Sequence, residues 1–223
     1  MAGRKVFTSG EILTAADVNS FLMDQSVMVF ADSSARSSAI PTPSEGMVTY
    51  VEDANRVEVY DGAAFGPIGG ILQVVQGVKT NVFSASTSTS YTAITGLSAS
   101  ITPSSASSKV LVMANVQGST TLGSNNQAQL RQLRDATVIH VGDSAGSRGQ
   151  TSGSYSARNS SNFPTFTTSW SVLDEPATTS SVTYSIEGRA TSGTFYVNRS
   201  ANDNDQNLYP RGVSSIILME VAV

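Results

Sequence analysis

GVSSIILMEVAV, residues 212–223, reads as a β-strand that is apolar on both faces. Successive side chains of a strand point to opposite sides, so Ile217, Met219, Val221 and Val223 share one face and Ile216, Leu218, Glu220 and Ala222 the other. One face fills the core of a β-sandwich. The second would ordinarily meet water, and its apolar content asks for a further partner. KVLVMANV, residues 109–116, has the same two-sided character, with Val110, Val112, Ala114 and Val116 on one side and Leu111 and Met113 on the other. Burying a side chain such as Leu111 or Ile216 contributes about 1.5–3 kcal/mol, so several of them repeated around a symmetry axis give strong association. The reading is an obligate homo-oligomer whose interface covers the outer face of this sheet, with Leu111, Met113, Ile216 and Leu218 as interface residues. A third layer or the amino-terminal part of the same chain is the other way to cover it.

Outward from these strands, apolar runs recur with turn-rich gaps: ILQVVQGVKT, YTAITGL, AQLRQLR, TVIHV, FTTSWSVL, VTYSIEG and TFYVNRS. No helical period intervenes, which predicts an antiparallel sandwich or jelly roll over residues 71–223. The 36 serines and 22 threonines agree with that class, because Thr suits pleated surfaces and Ser suits turns. Residues 144–162, rich in Gly and Ser, read as an exposed loop.

The first 70 residues read as a separate small module, a helix followed by a β-meander. Thr14 is the expected N-cap of a helix over residues 14–26, with Asp17 completing a capping box and Leu13 stapling onto Val18. Val18, Phe21 and Leu22 form its narrow apolar stripe, too little to hold a helix unaided. MVTYV, RVEVY and AAF, with a tight turn at Asp61-Gly62, predict a three-stranded meander over residues 46–66. Gly66-Pro67-Ile68-Gly69-Gly70 then marks the boundary between modules.

Composition removes several classes of function. A formal net charge of −4 with no Lys/Arg block lacks the electrostatic footprint of a nucleic-acid binder. The absence of cysteine removes disulfides, thiolate metal sites and a cysteine nucleophile. The longest apolar runs, residues 27–31 and 110–114, are far short of the roughly 20 residues that span a bilayer, so no membrane insertion is expected.

Four motifs invite a chemical reading. Gly142-Asp143-Ser144-Ala145-Gly146 matches the G-x-S-x-G pattern of serine hydrolases. A nucleophile elbow needs a helix after the Ser and a His later in the chain, whereas the following residues read as loop and the single His, His140, comes first. His140 reads as a strand residue alternating with Val138 and Ile139, and without Cys any metal site within one chain would be built from carboxylates. Residues 202–207, NDNDQN, alternate oxygen-bearing side chains but lack the Gly and Glu of a calcium loop. Asp174 and Glu175 are adjacent and so point opposite ways, which is unsuited to a glycosidase pair. No catalytic constellation and no cofactor are expected. Tyr155, Asn159, Asn162, Phe163 and Tyr209, set among Ser, Asn and Gly with Phe166 nearby, form the candidate surface for a polar or sugar-like ligand. Trp170 reads as core or interface.

ILQVVQGVKT, YTAITGLSASITPSSASSKVLVMANV, LDEPATTSSVTYSIEG, FYVNRS and GVSSIILMEV, in that order, resemble a domain of appendage proteins of tailed bacteriophages. Its fold is similar to the trimeric jelly roll of the tumour-necrosis-factor and complement C1q type, and the resemblance covers about residues 71–223. The front part, from LTAADVNSFLMDQ through VEVYDGAAF, looks like segments of phage tail and structural proteins. The resemblance implies a homotrimeric tail or head fibre located on the virion after assembly in the host cytoplasm. Its amino end, through Val18, Phe21 and Leu22, would dock to other virion proteins of the tail or capsid. Its distal jelly roll would attach to a host surface glycan or protein. A capsid decoration protein and a surface-polysaccharide hydrolase are the alternative expectations.

Overall fold

The structure, a computed structural model, describes residues 8–18, 26–86, 89–123, 125–157 and 165–222. The chain forms two compact units, Met1–Gly69 and Gly70–Val223.

In the first unit Thr14 caps α1 (Ala15–Asp17): the Asp17 amide donates to Thr14 Oγ1 at 3.1 Å and the Thr14 amide to Asp17 Oδ2 at 3.2 Å. This is the expected capping box. Val18 is half-buried, while Phe21 and Leu22 lie outside the described residues. The chain then forms β1 (Met28–Phe30), α2 (Ser33–Ala39), β2 (Val48–Val51), β3 (Arg56–Tyr60) and β4 (Phe65–Pro67). These strands make one four-stranded sheet in sequence order, with β1 parallel to β2 and the rest antiparallel. The expected meander is β2 to β4; β1 extends it. The Asp61 carboxylate closes the predicted turn by accepting the Ala63 and Ala64 amides, both at 2.8 Å, while Gly62 takes φ +100°.

α2 is a helix that the apolar pattern does not predict. SSARSSA carries no apolar period, and its one local signal is Asp32, whose side chain accepts the Ala35 amide at 2.7 Å. The helix delivers Arg36 into the interior, where it pairs with Glu58 and lies 4.0 Å over the Phe65 ring. Arg56 holds the other Glu58 oxygen at 2.7 Å. Burial by itself would raise the Glu58 carboxyl, but the two guanidiniums outweigh it and hold the group below its usual range.

The second unit is a two-layer antiparallel β-sandwich of jelly-roll type. Its strands are β5 (Ile71–Lys79), β6 (Phe83–Ala85), β7 (Thr92–Ile101), β8 (Lys109–Thr120), β9 (Ala128–Arg134), β10 (Thr137–Ile139), β11 (Gly153–Tyr155), β12 (Phe166–Asp174), β13 (Val182–Ala190), β14 (Phe195–Val197) and β15 (Ser214–Val221). One sheet runs β10–β9–β13–β7 with β11 also on β9, and the other β5–β15–β8–β14–β6 with β12 also on β8. Val110, Val112, Ala114, Val116, Ile216 and Leu218 from the second sheet meet Leu97, Ile101, Leu130, Tyr184 and Ile186 from the first. Trp170 joins this core, its indole N–H donating to Gln132 Oε1 at 3.2 Å.

Ile216 and Leu218 are fully buried by their own chain, which corrects their expected place on the outer face. Residues directly opposite in an antiparallel pair share a face, and the register sets Ile216 against Ala114 and Leu218 against Val112, both core positions. Met113 instead partners Ile217, and Leu111 partners Met219. Leu111 and Met113 therefore do face outward, together with the other half of the last strand. Glu220 shares the inward face and has no exposure, held there by Ser104 N and Oγ at 2.7 Å each and by Gln73 Nε2 at 2.6 Å.

Candidate self-association face

The outer face of the six-stranded sheet can be read row by row across β5, β15, β8 and β12. Val74, Met219, Leu111 and Leu173 are consecutive cross-strand partners, so one row spanning all four strands is wholly apolar. The next row is Gln76, Ile217, Met113 and Ser171, and the one beyond it Val78, Ser215, Asn115 and Ser169. Ile71 partners Val221 on the other flank of the apolar row. Val74 is 57% exposed, Leu173 52% and Ile71 57%, while Leu111, Met113, Ile217 and Met219 are half-buried only by their neighbours on the same face. This is more contiguous apolar surface than scattered single residues produce.

The face is graded. A shallow depression beside the apolar row is lined by Met113, Ala114, Asn115, Ser169, Trp170, Ser171, Ser215 and Ile217. Further along, Asn115 Nδ2 donates to Ser169 Oγ at 3.3 Å and Gln117 Nε2 to Thr165 Oγ1 at 3.2 Å. At the apolar end Lys109 and Glu175 form a 2.7 Å ion pair, and the ammonium keeps the Glu175 carboxyl below its ordinary range. Asp174 turns the other way, accepting Arg134 Nη1 at 3.0 Å and the Tyr184 hydroxyl at 2.7 Å. The two adjacent carboxylates diverge, Asp174 closing β12 and Glu175 lying just beyond it.

The residues expected to meet a receptor separate. Tyr155 is a correction: it is 5% exposed, and its hydroxyl donates to the Tyr196 carbonyl at 2.7 Å. Burial pushes that hydroxyl up and leaves the ring no surface to offer a ligand. Parity explains the difference, since β11 pairs with β9 and turns Tyr155 to the core beside Gly118, where an added Cβ would strike Tyr155 and Tyr196. Tyr209 is half-buried, with Asn204 Nδ2 donating to its hydroxyl at 3.4 Å. Phe166, 38% exposed, opens β12. Asn159, Asn162 and Phe163 lie outside the described residues.

The remaining motifs take structural roles. Ser144 sits in an exposed loop that leads to β11 rather than into a helix. His140 is also a correction, for it follows β10 in a left-handed conformation, φ +52°, instead of alternating within the strand. Its carbonyl accepts the Ser152 hydroxyl at 2.7 Å. In residues 202–207 the Asp203 carboxylate lies between Arg199 at 3.3 Å and Arg211 at 2.8 Å.

No family model matches the chain, and no curated protein matches it. Among the described residues no helix is long and apolar enough to cross a membrane.

Ile217, Met219, Val74 and Leu173 form an outward set that the strand pattern does not single out. The signal was present in β8: once Leu111 and Met113 are outward, antiparallel pairing forces their opposite numbers outward too.

Proposed function

We propose that the chain is a non-enzymatic structural protein of a tailed-phage particle, a homotrimeric fibre or spike. In this reading the amino-terminal unit docks to the virion and the jelly roll projects toward the host surface. The observation that carries it is the apolar row of Val74, Met219, Leu111 and Leu173, which crosses four strands and has no cover within its own sandwich. Self-association then rests on Ile217 and Met219 beside Leu111 and Met113, and no longer on the buried Ile216 and Leu218. The ordered resemblance of five segments to phage appendage domains supports the particle and the number of subunits.

Sedimentation velocity tests the assembly. The wild-type chain is expected to run as a trimer at micromolar concentration, and Met219→Glu to run as a folded monomer, because a carboxylate in the middle of a dry contact goes unpaired. A wild-type monomer would remove the proposal. Labelled antibody on intact virions then separates a tail fibre from a capsid head fibre or decoration protein. Loss of host-glycan hydrolysis in Ser144→Ala would replace the reading by the polysaccharide hydrolase.

A further inference from the structure

The opposite layer of the sandwich carries a second feature, chemically unlike the first. On the outer face of the five-stranded sheet, Arg131 of β9 partners Glu187 of β13, and Gln129 partners Arg189. All four side chains are half-buried and rise from the same face. Arg131 is neutralised by Glu187, its Nε donating to Oε1 at 2.8 Å. Arg189 is not: its Nε donates to the amide oxygen of Gln129 at 2.9 Å, so an amide rather than a carboxylate meets its charge among the described residues.

One aromatic ring lies on both cations. The guanidinium carbons of Arg131 and Arg189 stand 3.6 Å and 4.9 Å from the centroid of Tyr91. The Tyr91 hydroxyl donates to the Gln150 carbonyl at 3.2 Å, which pins the ring between the start of β7 and the loop entering β11. Gly149 brings that loop's backbone against the Arg189–Gln129 pair; a Cβ there would lie 2.8 Å from Arg189 Nη2. Arg148, on the same loop, is exposed.

We propose that Arg189, Tyr91 and Gln129 form a binding site for a carboxylate-bearing saccharide. With Nε committed to Gln129, the terminal nitrogens of Arg189 keep the planar fork that matches a carboxylate in bidentate fashion. The part of the Tyr91 ring that the two guanidiniums leave uncovered supplies a rigid aromatic surface of the kind that carries the apolar face of a pyranose, and its position is already fixed, so little ordering entropy is lost on binding. The chain's net charge of −4 disfavours polyanions and suits a ligand with a single charge. The site stands apart from the subunit interface and does not depend on the particle reading.

The test is an amide chemical-shift NMR titration of the isotope-labelled full chain with the methyl glycoside of N-acetylneuraminic acid. N-acetylglucosamine serves as the neutral comparison and inorganic phosphate as the bare anion. Wild type is expected to bind the sugar acid with Kd of about 1 mM, as suits one small site. Arg189→Gln is expected to weaken it at least tenfold with an unchanged melting temperature, and Tyr91→Leu to weaken the sugar acid while leaving phosphate unaffected. Absence of wild-type binding, an Arg189→Gln variant that binds as wild type does, or equal affinity for N-acetylglucosamine would each overturn the site. Phosphate matching the sugar acid, with Tyr91→Leu indifferent to both, would reduce it to a generic anion contact and overturn the saccharide. Failure here leaves sedimentation of the trimer unchanged, so the two proposals fall separately.

Discussion

At Glu220 a carboxylate with no exposure forms part of a hydrophobic sandwich, and the cost of burying it is met by hydrogen bonds. Burial alone would raise its pKa; the Ser104 side chain, Gln73, Ser108 and the Ser104 amide reverse the balance and lower it. A carboxyl whose folded pKa lies below its unfolded value of about 4.3 contributes stability above that pH and loses it as pH falls through the folded value. Glu58 is lowered as well, so both units carry the same dependence. The melting temperature of wild type is therefore expected to drop as pH falls below about 4, and Glu220→Gln to flatten part of that drop. At pH 7 the substitution costs about 1–3 kcal/mol, because an amide N–H₂ then faces donors that had a carboxylate. Thermal melts between pH 2 and 7 check both points, and parallel curves for wild type and variant would show that Glu220 titrates as it does in the unfolded chain.

At the scale of elements, β15 and β8 decide the molecule. Their burial alternates along the strands, with Ile216 and Leu218 inside and Ile217 and Met219 outside. Leu218→Ala is expected to cost about 2–5 kcal/mol of folding stability, the range for a large side chain removed from a packed core. Met219→Ala, on the outer face, is expected to change the stability of the single chain by less than about 1 kcal/mol and, in the proposed trimer, to act on association instead. Urea unfolding at concentrations below dissociation separates the two effects. Equal losses would mean that the alternation is misassigned. α2 shows a different dependence on context: SSARSSA forms a helix because Asp32 caps it and Arg36 finds Glu58, neither of which an apolar-period reading registers.

For the second unit as a whole, the two outer faces of the sandwich carry opposite chemistry. The six-stranded sheet is apolar outside along its central row, whereas the five-stranded sheet displays Gln129, Arg131, Glu187 and Arg189. In the proposed trimer, association through the first face would rest on water exclusion, so the assembly is expected to persist in 1 M NaCl, where the Debye length is about 3 Å. Sedimentation across a salt series measures this, and dissociation at high salt would point to charged contacts such as Lys109–Glu175 rather than the apolar row. Binding at Arg189 should weaken over the same series.

The mainly β class, a boundary in the Gly-Pro-rich stretch before residue 71, the Thr14 cap, the Asp61-Gly62 turn and the presence of strands apolar on both sides can all be read from the residues alone. Each of these follows from a period, a turn residue or a cap, and all are local. Which side of the last strand faces the core was decided only in the tertiary structure. The alternation of a strand has period two, so its two faces look alike from within the strand, and a slip of one residue exchanges every side chain between them. Cross-strand register with β8 fixed the choice, and Ser104 with Gln73 made it possible for Glu220 to follow Ile216 and Leu218 inward. The meeting of Tyr91, Arg131 and Arg189 was equally invisible, because it joins segments far apart in the chain that become neighbours only when β7, β9 and β13 lie in one sheet.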